Sequence, residues 1–124
     1  MYKRKLEPDI RCPLEYGLEI FGGKWNSRII CVLAAKNVLR YRELRREMGN
    51  ITDAVLASTL KSLIANGIVS RKSYDEIPPR VEYSLSEKGK SVVPILQSLC
   101  AWSGAFFKAD PMNEMVQCQK CDHK

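Results

Sequence analysis

The side chains in this chain best suited to chemistry are its cysteines. Cys12 stands directly before Pro13, at the point where a helix can begin, and Arg11 precedes it. A helix N-terminus and an adjacent cation both favour thiolate, the reactive form, while Glu15 one turn in opposes it. Cys12 therefore reads either as a thiol open to oxidants and electrophiles or as a small packed residue at a helix start. Cys118 and Cys121 have the two-residue spacing of a metal-ligand pair, with His123 close behind. A tetrahedral site needs four ligands and no second pair lies nearby, so these two are weak metal candidates in an otherwise unstructured tail. As thiols they could instead pair with each other or with Cys12. Cys31, between Ile30 and Val32, and Cys100, beside Leu99, read as core residues. His123 is the only histidine, so no Ser–His or Cys–His dyad is available within the fold. With no glycine-rich phosphate loop and no acidic metal cluster visible, neither an enzyme nor a cofactor is expected.

The cations point to a different chemistry. Twenty Lys and Arg against fourteen Asp and Glu give a net charge of +6, which favours an anionic partner. Residues 52–66, TDAVLASTLKSLIAN, read as a helix whose two sides differ. Val55, Leu56, Leu60, Leu63 and Ile64 form an apolar arc at helical spacing, which predicts burial there. Ala54, Ala57, Ser58, Lys61 and Ala65 form the opposite face, which is small, nearly featureless and ends in a cation. Solvated helices usually carry long polar side chains at such positions, so shortened ones suit the close approach of another molecule. Thr52 is placed to cap the first turn. Residues 42–48 read as a short basic helix closed by Gly49. Two helices joined by a tight turn, the second presenting a compact face, form a helix-turn-helix. Taken alone, the second helix reads equally as a core helix with alanines chosen for propensity.

The elements around this pair favour the helix-turn-helix. A first helix begins at Pro13, with Leu14, Leu18 and Phe21 as its stripe, and ends at Gly22-Gly23. A second spans about 25–35 with Trp25, Ile29, Val32 and Leu33 inward, and a short extended link covers 38–41. After residue 66, Gly67 stops the helix. Residues 68–74 and 81–85 then read as strands, the second placing Val81, Tyr83 and Leu85 on one face. Pro78-Pro79 cannot donate ladder hydrogen bonds, so DEIPPR between the strands is a stiff protruding loop. This order is a winged helix-turn-helix, mainly α with a small antiparallel β wing. Residues 86–108 form a last helix containing Pro94, expected to kink it, with a stripe of Val92, Leu96, Leu99, Ser103 and Phe106. With Trp102, Phe106 and Phe107 near its end, that helix is too apolar for so small a domain to cover. It is expected to pack on a second copy together with the first helix, with Leu14, Leu18, Leu99, Trp102 and Phe106 as candidate interface residues.

Several separated motifs, in order, resemble the HxlR family of bacterial winged-helix transcription regulators, relatives of the MarR type. They are Cys12-Pro13-Leu14-Glu15-Tyr16, Gly22-Gly23-Lys24-Trp25, Arg40-Tyr41-Arg42-Glu43-Leu44-Arg45-Arg46, Ile51-Thr52, and Gly67-Ile68-Val69-Ser70-Arg71. The stretch from Pro78-Pro79-Arg80 to Leu85, with Gly89 and Pro94, is the most specific, and the similarity spans about residues 11–104. The resemblance implies a homodimer that binds double-stranded operator DNA, with the helix at 52–66 in the major groove and the loop at 78–80 near the flanking minor groove. In some members a cysteine at the Cys-Pro position senses oxidants or electrophiles, which extends that role to Cys12 as a candidate thiol sensor. This chain departs from many members at Asp53-Ala54, where a basic or amide residue is usual. Asp53 suits a helix N-terminus but repels phosphate, so direct base readout is expected to be thin.

Phosphate contact is expected from Arg40, Arg42, Lys61, Lys72 and Arg80, and base-edge contact from Thr52, Ala54, Ala57 and Ser58. Part of the sequence preference is expected from groove shape read by Arg80. The domain reading is a basic arm at 1–11, the winged-helix domain with its dimerisation helices at 12–108, and a cysteine-containing tail at 109–124. No secretory signal or membrane-spanning run is visible, and the odd count of five cysteines suits reduced thiols in a cytoplasm. The expected partners are operator DNA, a second copy, and an effector that is an oxidant, an electrophile or a small molecule. Two other readings stay open: a small-molecule switch at the dimer interface, and a winged helix that binds only protein.

Overall fold

The computed structural model describes residues 9–107. Five helices and three short strands follow in the order α1 (Pro13–Phe21), α2 (Lys24–Lys36), β1 (Val38–Arg40), α3 (Tyr41–Met48), α4 (Asp53–Ala65), β2 (Val69–Tyr74), β3 (Arg80–Leu85) and α5 (Glu87–Phe106). The link predicted at 38–41 is a strand. It supplies one edge of a three-stranded antiparallel sheet ordered β1-β3-β2, with Leu39 opposite Tyr83 and Arg40 opposite Glu82.

The core lies where α2, α3 and α4 meet the sheet. Ile29, Ile30, Leu33, Leu44, Leu56 and Leu63 are all but sealed from solvent. These are close-packed aliphatic chains from three helices, the arrangement that fixes the angles between those helices. Ile51 fills the turn between α3 and α4 from inside, which leaves the outer side of that turn free. On β3 the alternation is as predicted, with Tyr83 and Leu85 buried. On β2 only Val69 is buried, so most of the β2–β3 ribbon stands clear of the core as the wing.

Three expectations on packing need correction. Val55 is solvent-exposed, because the buried face of α4 is the narrower row of Leu56, Leu60 and Leu63. Cys100 is also exposed, since the packing of α5 on the core is confined to its first half, where Val92 is buried and Val93 and Leu96 pack beside it. On α1 the buried residue is Ile20, while Leu14 and Leu18 point outward.

The C-terminus of α4 is closed with care. Asn66 is the C-cap, and Gly67 follows at φ 74°, a left-handed conformation that a residue with a Cβ adopts only at a cost. Its amide bonds the Ile64 carbonyl at 3.0 Å, and the Ile68 amide bonds that of Leu63 at 2.9 Å. That pair of bonds is a Schellman motif, and it returns the chain directly into β2. Ser86 then caps α5 with its hydroxyl accepting from the Gly89 amide, while its own amide bonds the Ile68 carbonyl at 3.0 Å. The end of α4 and the start of α5 are thereby joined backbone to backbone. Although Pro94 lies inside it, α5 runs as one element from Glu87 to Phe106. Among the described residues no helix is long and apolar enough to cross a membrane.

Candidate nucleic-acid interface

Thr52 caps α4 as its sequence position suggested, its hydroxyl accepting from the Val55 amide at 3.2 Å. Asp53 follows at the first helical position, and its carboxylate is not left to face an incoming phosphate alone. The guanidinium of Arg45 on α3 reaches it at 2.8 Å, and the Tyr41 hydroxyl lies 3.4 Å from the same carboxylate oxygen. The expectation that Asp53 would repel phosphate is therefore revised: its charge is paired inside the motif. One acid, one cation and one phenol lock the two helices across the turn, and Arg45 and Tyr41 were not among the residues singled out from sequence. The pair Arg45 and Asp53 is eight residues apart, a spacing that has meaning only once the turn is known.

Tyr41 itself responds to this setting. Burial pushes its pKa above the ordinary 10.0, and the Asp53 carboxylate raises it further, by its charge and by the hydrogen bond it accepts. The native state thus holds the phenolic proton more tightly than the unfolded chain does. The resulting stability is fully present below pH 10 and is lost as the pH rises through the raised pKa. In Asp53→Asn, ultraviolet difference titration should show Tyr41 ionising at lower pH than in the parent protein. Superimposable titration curves would remove Asp53 as a cause.

With Asp53 paired, the outward face of α4 consists of Ala54, Ala57, Ser58, Lys61 and Ala65, all exposed. Arg40 and Arg42 are exposed at the start of α3, and Arg40 also closes that helix, its amide donating to the Glu43 carboxylate at 2.9 Å. The structure thus brings Thr52, Ala54, Ala57, Ser58 and Lys61 onto one surface, with Arg42 on the neighbouring helix.

The wing cations are arranged differently. Lys72 is exposed, with its ammonium 5.0 Å from the centre of the Tyr74 ring. The Arg80 guanidinium stacks on the same ring at 3.8 Å and pairs with Glu76 at 3.2 Å. Its Nε lies 3.9 Å from Glu82, whose other carboxylate oxygen accepts from the Tyr74 hydroxyl at 2.9 Å. Arg80 is thus half-buried and held at the base of the wing, and the exposed tip is Ile77-Pro78-Pro79. Contact between Arg80 and DNA would require it to turn away from Glu76.

Cys12 is exposed at the N-cap of α1 and makes no side-chain cap. The cation invoked to favour its thiolate is engaged elsewhere. The Arg11 guanidinium pairs with Asp9 at 3.0 Å, and its amide donates to the Glu15 carboxylate at 2.9 Å. Cys31 and Cys100 both line a small apolar cavity of about 30 Å³ between α2 and α5. It adjoins an open groove of about 460 Å³ walled by Leu33, Val38, Leu85 and Val93, with Lys90 and Asn37 at its polar side. Cys118, Cys121 and His123 lie outside the described residues.

The second half of α5 leaves Leu99, Trp102, Phe106 and Phe107 in solvent, Trp102 and Phe106 with ring centres 5.5 Å apart. Leu14 and Leu18 on α1 are likewise uncovered. All five residues named as interface candidates are therefore exposed in the single chain.

Comparison with known proteins agrees with this architecture. Residues 20–111 match the model of the HxlR-like helix-turn-helix family. An HTH-type transcriptional regulator of Halalkalibacterium halodurans, BH0655, is 46% identical over 101 residues, covering 82% of this chain and 89% of the relative. Among solved structures, the redox regulator HypR in its oxidized form superposes with a TM-score of 0.70 at 36% identity, covering 79% of this chain and all of that one. The reduced form of the transcriptional regulator YodB from B. subtilis superposes with a TM-score of 0.72 at 34% identity, covering 80% of this chain and 97% of that one.

Proposed function

This chain belongs to the HxlR-like helix-turn-helix family and is a transcriptional regulator, not an enzyme, and we propose that it acts as a homodimer reading operator DNA with α4. The observation that carries this reading is the outward face of α4, reduced to Ala54, Ala57, Ser58 and Lys61 beside a neutralised Asp53. Such a face can lie close against base edges, where Ala meets a thymine methyl and Ser or Thr hydroxyls serve as donors or acceptors. Arg40, Arg42, Lys61 and Lys72 supply phosphate contacts, which set register and most of the affinity. The apolar face of α1 and α5, with Leu14, Leu18, Leu99, Trp102 and Phe106, joins the two copies and sets the distance between their α4 helices.

For the signal, we favour modification of Cys12. It is an exposed thiol at the start of a helix in the proposed dimer face, and two structural neighbours include a protein named as a redox regulator. A small-molecule effector is the second reading. It is favoured by the 460 Å³ groove between α2, the sheet and α5, which is of ordinary size for a small-molecule site.

Fluorescence anisotropy of a labelled duplex from the protein's own upstream region, titrated over a salt series, tests these readings together. Binding should be salt-dependent and specific, and Lys61→Ala or Arg42→Ala should each reduce the salt slope by about 1. Arg80→Ala should weaken binding less, because that side chain is already paired with Glu76. Loss of binding on treatment with a thiol oxidant, absent in Cys12→Ser, assigns the switch to Cys12. Indifference to oxidation would move the signal to the groove. Absence of binding even at low salt would favour a winged helix that recognises protein.

A further inference from the structure

The C-terminal end of α4 carries a contact that none of the foregoing uses. The Lys88 ammonium, in the first turn of α5, donates to the Asn66 carbonyl at 2.9 Å and to the Tyr16 hydroxyl on α1 at 3.0 Å. The same ammonium lies 5.5 Å from the centre of the Tyr16 ring. Asn66 is the C-cap of α4, where the last carbonyls lack partners within the helix and the helix dipole is negative. One cation therefore neutralises the end of α4 and also ties it to two other helices. Tyr16 is in turn fixed to the start of α1, its amide donating to the Cys12 carbonyl at 3.3 Å.

We propose that Lys88 is a positioning residue for DNA reading: it fixes the angle of α4 relative to α1 and α5, and so the half-site spacing that a dimer accepts. The inference rests on the reading of α4 as the DNA-contacting helix and of α1 and α5 as the helices that join the copies. Two α4 helices held stiffly to their dimer elements present their faces at one separation, and only operators with matching half-sites engage both. Loosening the hold at Lys88 leaves each α4 intact but lets its angle vary. Tyr16 supplies the α1 side of the same hold, one turn from Cys12, so a displacement of the start of α1 is passed to the end of α4 through two hydrogen bonds.

The test uses the full chain, the upstream duplex, and versions of that duplex lengthened or shortened by one base pair between the half-sites. The variants are Lys88→Met, Lys88→Arg, Tyr16→Phe and the double Lys88→Met/Tyr16→Phe. Lys88→Met should bind the natural duplex about five-fold more weakly and discriminate against the altered spacings by a correspondingly smaller factor, a coupling effect of ordinary size. Its salt slope should be unchanged. Tyr16→Phe should act in the same direction, and the double variant should be no worse than Lys88→Met, because Tyr16 acts through Lys88. Lys88→Arg, which keeps the charge and several donors, should restore most of the discrimination. A salt slope lower by about 1 with spacing preference intact would overturn the proposal and make Lys88 a phosphate contact. Full discrimination in both single variants would overturn it as well. If the parent protein itself prefers no duplex, the functional reading falls first, a result distinct from a parent that binds while its variants behave alike. Tyr16→Phe removes one exposed hydroxyl, so its result stands even if Lys88→Met folds poorly.

Discussion

Gly89→Ala is expected to lower the folding stability by about 1–3 kcal/mol, the usual cost of forcing an extra methyl into packed structure. A Cβ at this position would stand 2.2 Å from the Ile68 carbonyl oxygen and 3.2 Å from a methyl of Leu85. The first neighbour is backbone, so it cannot rotate away, and it already accepts the Ser86 amide. Relief would require the first turn of α5 to move off the junction between α4 and β2. Urea denaturation would show it as a fall in midpoint at unchanged m-value. Gly17→Ala on α1 is the control: its Cβ would meet the Phe21 ring at an ordinary 3.6 Å. Replacing a helical glycine there should add about 0.5–1 kcal/mol. Equal midpoints for the parent and Gly89→Ala would show that the junction gives way easily.

A second large effect is expected at the exposed end of α5. Trp102→Glu removes the largest aromatic side chain of the proposed dimer face and places a charge beside Leu99 and Phe106. Central aromatic residues of an interface carry about 2–4 kcal/mol each on truncation, so dimer affinity should fall by roughly thirty-fold to several hundred-fold. Because Trp102 is exposed in the single chain, the variant should fold normally and sediment as a monomer. Operator affinity should fall with it, since a monomer engages one half-site and forgoes the second, tethered contact. A Trp102→Glu protein that remains dimeric by sedimentation would place the interface elsewhere. One that is monomeric yet binds the operator at parent affinity would show that a single α4 suffices.

How far the sequence revealed this molecule depended on the range of the physics involved. The limits of α4 were legible because they are set by near neighbours: the Thr52 hydroxyl caps its own first turn, and Gly67 takes the left-handed conformation just after the C-cap. The wing was legible because Pro78-Pro79 cannot pair in a ladder. Periodicity served less well for burial. It placed Val55 in the apolar arc of α4, although only the rows of Leu56, Leu60 and Leu63 meet the core. It could not say where along α5 the core ends, and so Cys100 was assigned inside when it lies outside. The contacts that shape the candidate interface most, Arg45 with Asp53 and Lys88 with Asn66 and Tyr16, join residues on different helices. No local pattern marks them, and charges of this kind read from sequence as solvated surface.

The pairing of β1 with β3 bears on how the molecule folds and opens. Arg40 stands opposite Glu82 in that ladder, so the chain between them, which contains α3, α4 and the wing, is a loop closed at its neck by three residue pairs. The hairpin of β2 and β3 forms from neighbours in sequence, but closing the neck fixes a long span at once, at an entropic cost that only the completed core offsets. The reading unit should therefore not fray helix by helix. It opens as one cooperative segment when β1 detaches, and the slowest-exchanging amides of α4 and those of β1 share a single opening event.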